Sequence, residues 1–564
     1  MKTRLAILMT LFPVFLSAQL EMNYSYEMKY GAGKQVTPES QDTTDYSYFE
    51  NLLDINTYYG DNIYIYSQLE YSNPPVFGYS RTGLDSMLNA FYIEYSHERF
   101  NVKLGDLYEL YGRGLSFYTM QDQTIDHDNS IRGLALNYSL KENLEISTLI
   151  GMGDYAYRFN AASDTTDRSF MNNVVSTSIN YENGFLGFFQ YLYLNQHSII
   201  EAFMIEKYRK PHTELGIDLL EREDLGIADT IINKTHNLNW NYYSSIFDIY
   251  VDKSWINYDK MYGEQTFGSR FYSSIYTEIF GTGITYEYKN YYTPYLIKSI
   301  SNPPIVYREG NSILASRNVH SMNFGNEIGH QIDFNKDING NYNVIGNLAI
   351  SYRHQKEEMA DLTLVDFLSM KEDPSIYTYY PFRQVYMEIN GWELSERLYF
   401  KIGMDHFTEY LNGKNIFALT IPTQWVWELT NGSSFTIYLE TQEKIVNKLS
   451  PIDPPDVDEY INHYLLVSYS HFGRWIITGF YDFEKYSKKM IRNPDTFELF
   501  SELTTVSSPE GQWPGLDFSF FFTSATQISL FYGSQKGGLV CANGICAQQP
   551  GFEDGFKITF RSLF

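Results

Sequence analysis

The sequence predicts an all-β chain folded as a single large antiparallel transmembrane β-barrel of about 24 strands (about 22–26). Three observations carry this. Extended segments alternate apolar and polar residues, which places each type on its own face of a sheet. Short and long polar connections alternate through the whole chain. The final stretch, Gly555-Phe-Lys-Ile-Thr-Phe-Arg-Ser-Leu-Phe564, is itself such an extended segment and stops on an aromatic residue.

Residues 1–18 read as a secretory signal. Lys2 and Arg4 form a positive start, and Leu5 to Leu16 is an apolar run. Ser17-Ala18 before Gln19 is the expected cleavage point. The run is too short for a membrane-spanning helix, and no Cys follows it to take a lipid anchor. Residues 19–564 are then the expected barrel.

Strands of roughly ten residues recur from Leu20 onward. Phe100, Val102 and Leu104 oppose Asn101 and Lys103. Leu134, Leu136, Tyr138 and Leu140 oppose Ala135, Asn137 and Ser139. Leu398, Phe400, Ile402 and Met404 oppose Tyr399, Lys401, Gly403 and Asp405. Phe518, Phe520 and Phe522 oppose Asp517 and Ser519. A soluble sandwich would show the same pattern, so alternation alone does not settle the class.

The connections carry more. Tight polar turns fall at 60–62, 97–99, 141–143, 182–184, 243–245, 281–283, 334–340, 395–397, 431–433, 472–474 and 523–525. Long connections lie between them, near 30–47, 72–86, 107–131, 151–171, 195–236, 254–270, 292–319, 354–380, 409–415, 441–459, 485–514 and 534–553. Eleven short and twelve long connections imply an even strand count, with both ends of the chain on the short-turn side. Outer-membrane barrels have short periplasmic turns and long outside loops.

In the last segment Phe556, Ile558 and Phe560 share one face, and Lys557, Thr559 and Arg561 the other. With Phe564 they form the expected closing strand, which pairs with the first to remove the sheet edge. Ser562 departs from the apolar phase.

A barrel this wide needs filling, because lumen diameter grows with strand number. Leu20 opens the first strand, so no plug domain and no energy-coupled uptake of the TonB type are expected. The candidate inward loop is 106–132. It carries Tyr111-Gly-Arg-Gly114 and then Gln121-Asp-Gln-Thr-Ile-Asp-His-Asp-Asn-Ser-Ile-Arg-Gly133. Arg113, Asp122, Asp126, Asp128 and Arg132 are the expected constriction residues, as an ionic lattice. They would either select cargo by charge or neutralise one another as a strut.

Composition narrows the partners. The chain holds 51 Tyr, 39 Phe and 7 Trp, and amphipathic Tyr suits the two interfaces of a membrane. The formal net charge of −26 opposes nucleic-acid binding. It fits a cation-favouring lumen, loops bridging divalent ions to lipopolysaccharide, or a solvated acidic surface. The expected partners are outer-membrane lipid and lipopolysaccharide, the barrel-assembly machinery, and a partner protein at the lumen or rim. Cys541 and Cys546 are the only cysteines, and a small-loop disulfide is their expected state.

No enzyme is expected and no catalytic residue is assigned. His127, Asn129 and Ser130 supply the residue types of a hydrolase site, but too close together to converge as one. A Gly-x-Ser-x-Gly elbow is missing. Asp126-His-Asp128-Asn-Ser130 starts like a calcium loop, but Ile131 and Asn137 stand where Gly and Glu are needed. Walker, dinucleotide and zinc spacings are absent. No metal and no cofactor are expected.

Two stretches carry a family resemblance. Gly112-Arg-Gly114 with Asp128-Asn-Ser-Ile-Arg-Gly133 is one. Gly537-Gly-Leu-Val-Cys-Ala-Asn-Gly-Ile-Cys546, leading to Phe552, is the other. Together they resemble an uncharacterised family of Bacteroidota outer-membrane proteins, a domain of unknown function. The resemblance implies an outer-membrane barrel and no catalytic residues. The function expected is a passive or gated conduit, or a component of an outer-membrane transport assembly, with inward loops narrowing the lumen. The alternative is a structural docking barrel with an occluded lumen.

Overall fold

The computed structural model describes residues 20–36, 43–76, 81–83, 87–125, 127–157, 168–200, 229–261, 264–293, 300–310, 312–320, 322, 325–352, 354, 382–411, 414–448, 457–492, 499–501, 511–542, 545–549 and 551–564. The expected signal segment lies outside them.

One antiparallel sheet dominates. Its barrel strands are β1 Leu20–Val36, β2 Thr43–Tyr59, β3 Ile63–Ser72, β4 Leu88–His97, β5 Phe100–Leu107 and β6 Ile131–Lys141. Next come β7 Leu144–Tyr157, β8 Arg168–Asn183, β9 Gly187–Ile200, β10 Asp229–Tyr243, β11 Phe247–Met261 and β12 Glu264–Ile279. The far wall is β13 Thr282–Tyr292, β14 Asn326–Ile338, β15 Tyr342–Tyr352, β16 Phe382–Glu393, β17 Leu398–Leu411 and β18 Lys414–Glu428. The last six are β19 Ser434–Lys448, β20 Val457–His471, β21 Trp475–Arg492, β22 Gly511–Thr523, β23 Thr526–Gln535 and β24 Phe552–Leu563. Each strand pairs with its neighbours in sequence, and β24 returns to β1, which closes a barrel of 24 strands. A three-residue strand, Leu499–Ser501, extends the β21 edge.

The outer surface is apolar. Leu134, Leu136, Tyr138 and Leu140 are exposed, as are Ile150, Met152, Met387, Ile389, Ile402 and Met404. Soluble proteins rarely expose a continuous band of this kind. Here it encircles a closed sheet, which is the lipid-facing wall of an outer-membrane barrel. Ala135 and Asp405 point the other way and are buried.

The strands are longer than the sequence pattern suggests. They run from eight residues in β5 to eighteen in β21, where crossing a bilayer takes about 9–11. The expected long connection at 254–270 shrinks to residues 262–263 between β11 and β12. Beyond the lipid slab a strand gains nothing from an apolar outer face. Its alternation fades there, although the ladder continues through Trp255↔Ser269 and Tyr258↔Thr266. The walls on either side of the connections after β5 and β13 stay short, and both connections turn inward.

The seam follows the expected closing strand. Register pairs Met28 with Phe560, Tyr30 with Ile558 and Ala32 with Phe556. Phe560 meets Tyr26 at 6.1 Å between ring centroids, and Phe556 meets Tyr30 at 5.6 Å.

Candidate lumen constriction

Loop A, residues 108–130, connects β5 to β6. It is built from two small ribbons, Leu110–Tyr111 with Phe117–Tyr118 and Gln121–Asp122 with His127–Asp128. Asn129 joins them. Its Oδ1 accepts from the Met120 N–H at 2.6 Å, and its Nδ2 donates to the Tyr118 carbonyl at 3.0 Å. Asn129 thus has a structural task within the loop.

Apolar packing seats loop A inside the barrel. Tyr111 and Phe117 join Leu107, Leu149, Val174, Leu192 and Ile300 in one buried cluster. The inner wall under the loop is therefore aliphatic, where a bare lumen wall would be polar. Gly112 and Gly114 make the close approach feasible. Both have positive φ (58° and 82°), and glycine enters that region without steric cost. A Cβ on Gly112 would lie 2.6 Å from Asp252 Oδ2, and one on Gly114 would lie 2.7 Å from the Asn302 carbonyl.

Arg113 between them projects to β11, β12 and β13. It donates to Tyr272 Oη at 2.6 Å, lies 3.9 Å from Glu287 and sits over the Tyr250 ring at 4.6 Å. A guanidinium that stacks and hydrogen-bonds at once is well suited to such an anchor.

Loop B, residues 293–325, connects β13 to β14 and was read in the sequence only as a long connection. It too folds into the lumen and docks on loop A. The Tyr118 N–H donates to the Ile300 carbonyl at 2.8 Å, and the Asn302 N–H to the Gly114 carbonyl at 3.2 Å. Arg270 of β12 ties both, donating to the Leu115 carbonyl at 2.7 Å and to Ser301 Oγ at 2.9 Å.

Charged wall residues clamp the rest of loop B. Lys289 and Glu327 form a buried ion pair at 2.5 Å. His320 lies between Glu327 at 3.1 Å and Glu409 at 2.7 Å, stacked on Phe382 at 4.1 Å. Burial disfavours the charged imidazole, but the Glu409 and Glu327 carboxylates outweigh it and hold His320 up at about 9. Glu440 accepts from the Ile313 and Leu314 N–H groups at 2.6 Å each. Arg317 pairs with Asp482.

The expected ionic lattice is not found among the described residues. The partners of Arg113 belong to β11, β12 and β13. Asp128 accepts from Tyr108 Oη at 3.1 Å and from the Ser130 N–H at 2.8 Å. Asp122 caps its own turn through Thr124 at 2.9 Å. Asp126 lies outside the described residues. Arg132 leaves the lumen: its side chain is 68% exposed, in phase with outward Leu134, and pairs with Asp106 at 2.8 Å. A loop held by an apolar cluster and by wall carboxylates does not need an internal charge lattice. Single charges on the inward phase of distant strands, such as Lys289, Glu327, Glu440 and Asp482, were the sequence signal for loop B.

The filling is uneven. Towards β24, β1, β2 and β3 the described loop residues that reach in are the tip of the second ribbon and part of the β3–β4 connection, where the Val76 N–H donates to Glu50 Oε1 at 2.5 Å and Arg81 lies 3.2 Å from Glu70. A cavity of about 330 Å³ remains there, lined by Glu27, Lys29, Glu50, Glu70, Gln123 and Lys557 among others. A second space of about 390 Å³ is lined by Tyr66, Tyr92, Tyr108, Tyr118 and Gln121 among others. Gln68 stands between them. Its Oε1 accepts from Gln121 at 2.6 Å and from Gln123 at 3.0 Å.

A family model described as a family of unknown function, DUF6029, matches residues 1–166. That span holds Gly112-Arg-Gly114 and Asp128 to Gly133 but not the cysteine pair. No curated protein matches the chain. Among solved structures it is similar to the copper transporter OprC, at 10% identity and TM-score 0.42, over 97% of this chain and 81% of that one. It is similar to the translocation pore of the P pilus usher PapC at 9% identity and TM-score 0.41, over 96% and 99%. For the outer-membrane transporter YddB from Escherichia coli the values are 8%, 0.43, 96% and 81%.

Proposed function

We propose that this outer-membrane barrel is a gated conduit whose own inward loops narrow the lumen. The observation that supports it is the uneven filling, which leaves two spaces along β24 to β5. From β6 round to β21 the loops meet the wall through packed side chains and buried ion pairs. In the seam sector, two spaces are separated by the contact of Gln121 and Gln123 with Gln68. Tyr66 and Gln121 line one space, and Glu70 and Gln123 the other. Side-chain amides exchange partners with water at little cost, since a neutral hydrogen bond contributes only about 0.5–1.5 kcal/mol net. This contact is where the passage opens.

Planar-bilayer recording tests the reading. Stepwise conductance is expected, with longer open times after Gln123→Ala. A second reading, a docking barrel with a fixed plug, is favoured by the buried clusters that seat loop A. Electrical silence of both wild type and Gln123→Ala, with a protein co-purifying from the envelope, would establish docking in place of the conduit.

A further inference from the structure

We infer that the tyrosine-lined space beneath loop A is a saccharide-binding site, the recognition point of the conduit on whose reading this inference rests. Tyr58, Tyr64, Tyr92 and Tyr108 form an unbroken series of ring contacts, with centroid steps of 5.0, 5.8 and 6.4 Å, and Tyr66 joins it at Tyr92, 5.2 Å away. The series starts beside the Gly60–Asn62 turn and ends at loop A. The rings lie on the lumen side: Tyr58, Tyr64 and Tyr66 share their phase with Asp54 and Gln68, which bond one another inside the barrel.

The rings are held in place by their hydroxyls. Tyr64 Oη donates to Asn56 Oδ1 at 2.5 Å, and Tyr66 Oη to Asp54 Oδ1 at 2.8 Å. A ring fixed at its far end presents its face at little further entropy cost on binding. Simple packing would have buried them. Instead Tyr66, Tyr92, Tyr108 and Tyr118 keep partial exposure and border an open space of about 390 Å³, within the usual range of ligand sites, about 300–1,000 Å³.

The chemistry of the rim selects the ligand class. Lys103 lies 3.7 Å from Glu109 and 4.5 Å above Tyr92, so these two rim charges balance each other, while the Asp54 and Asp128 carboxylates accept from the hydroxyls of Tyr66 and Tyr108. A bare cation would have to displace the ring hydroxyls from Asp54 and Asp128 to reach a carboxylate there. A purely apolar solute would desolvate Lys103, Glu109 and Gln121 without return. A neutral sugar ring fits both demands. Its C–H faces lie on the aromatic faces, and its edge hydroxyls meet the amides and paired charges.

The test uses the full chain in detergent, with maltohexaose and cellohexaose as probes and glutamate and lysine as charged controls. Saturation-transfer NMR and calorimetry are expected to show binding of at least one hexaose. Tyr92→Leu should weaken it about tenfold while Tyr92→Phe retains it, because the ring face and not the hydroxyl is the recognition element. Tyr58→Leu, at the exposed end of the series, gives the same comparison should Tyr92→Leu fail to fold. Absence of hexaose binding to wild type at about 10 mM overturns the site, as does unchanged affinity in both Leu variants or preference for a charged control. Conductance is read separately. A conducting barrel that ignores both hexaoses retains the conduit and loses the site, and a silent barrel that binds one does the reverse.

Discussion

Tyr24 of β1 and Phe564, beyond the end of β24, are bound to each other twice over. The backbone N–H of each donates to the carbonyl of the other, at 3.1 and 2.9 Å. Their rings stack with centroids 5.0 Å apart. Tyr26–Phe560 and Tyr30–Phe556 continue the same line up the outer face. A barrel has no edge only while this seam holds.

Phe564→Ala should therefore loosen closure. A stacked aromatic pair contributes about 0.5–1.5 kcal/mol beyond its buried area. The midpoint of heat-induced unfolding on a semi-native gel should fall. Tyr24→Ala in the Phe564→Ala background should cost less than Tyr24→Ala alone. Fully additive losses would mean that the two rings stabilise the seam independently.

The seam was legible in the sequence because Phe556, Ile558 and Phe560 must face lipid while Lys557 must not. The turns were legible for the same kind of reason. At Phe280-Gly281 and Asn339-Gly340 the backbone takes positive φ, and the Gly that follows marks the place. Loop A announced itself through Gly112 and Gly114. Loop B did not. It is held by Lys289, Glu327, Glu409 and Glu440, which lie far apart along the chain and become neighbours only once the wall curves. Strand length was obscured at Trp255 to Tyr258, where the inward positions Ile256 and Tyr258 are themselves apolar and buried, so the contrast between an apolar outer and a polar inner face is lost.

The Lys289–Glu327 pair has side chains 0% and 1% exposed. Removing one partner of a buried pair leaves the other charged in a poor solvent, at a cost of about 3–5 kcal/mol. Glu327→Gln should release loop B from the wall. Limited proteolysis should then cut within residues 300–322 while the strands stay protected. An unchanged digestion pattern would mean that loop B is held by its other contacts alone.

His320 sets a pH limit on the same clamp. Its value of about 9 lies above the ordinary 6.5. The stabilisation it contributes is complete below about pH 6.5 and fades as pH rises through about 9. Tyr307, edge-on to His320, stays neutral in that window because burial, then Glu309, Glu327 and Glu409, push its hydroxyl upward. Hydrogen exchange in loop B should therefore accelerate between about pH 8 and 10 beyond the intrinsic base-catalysed rise. Conductance should increase over the same interval if the loop limits the passage. His320→Gln should flatten both responses. A wild-type profile that follows the intrinsic rate alone would remove His320 from the clamp.

The cysteines call for a direct measurement. Gly538–Ala542 pairs with Ile545–Gln549, and the register sets Cys541 opposite Cys546. Facing positions on antiparallel strands bring Cβ atoms to about 4.5–5.5 Å, close to the reach of a disulfide. We propose that the pair is oxidised in the exported protein. Closing so small a loop constrains the unfolded chain by about 2 kcal/mol in the chain-entropy account. The benefit is local to this ribbon, which lies outside the barrel sheet as a separate two-stranded unit. Alkylation before reduction should leave both thiols unmodified, and alkylation after reduction should add two groups. Cys541→Ser with Cys546→Ser should speed proteolysis of the ribbon and leave the heat-unfolding midpoint of the barrel in place. Two alkyl groups added without reductant would show the thiols free and the ribbon held by its backbone pairing alone.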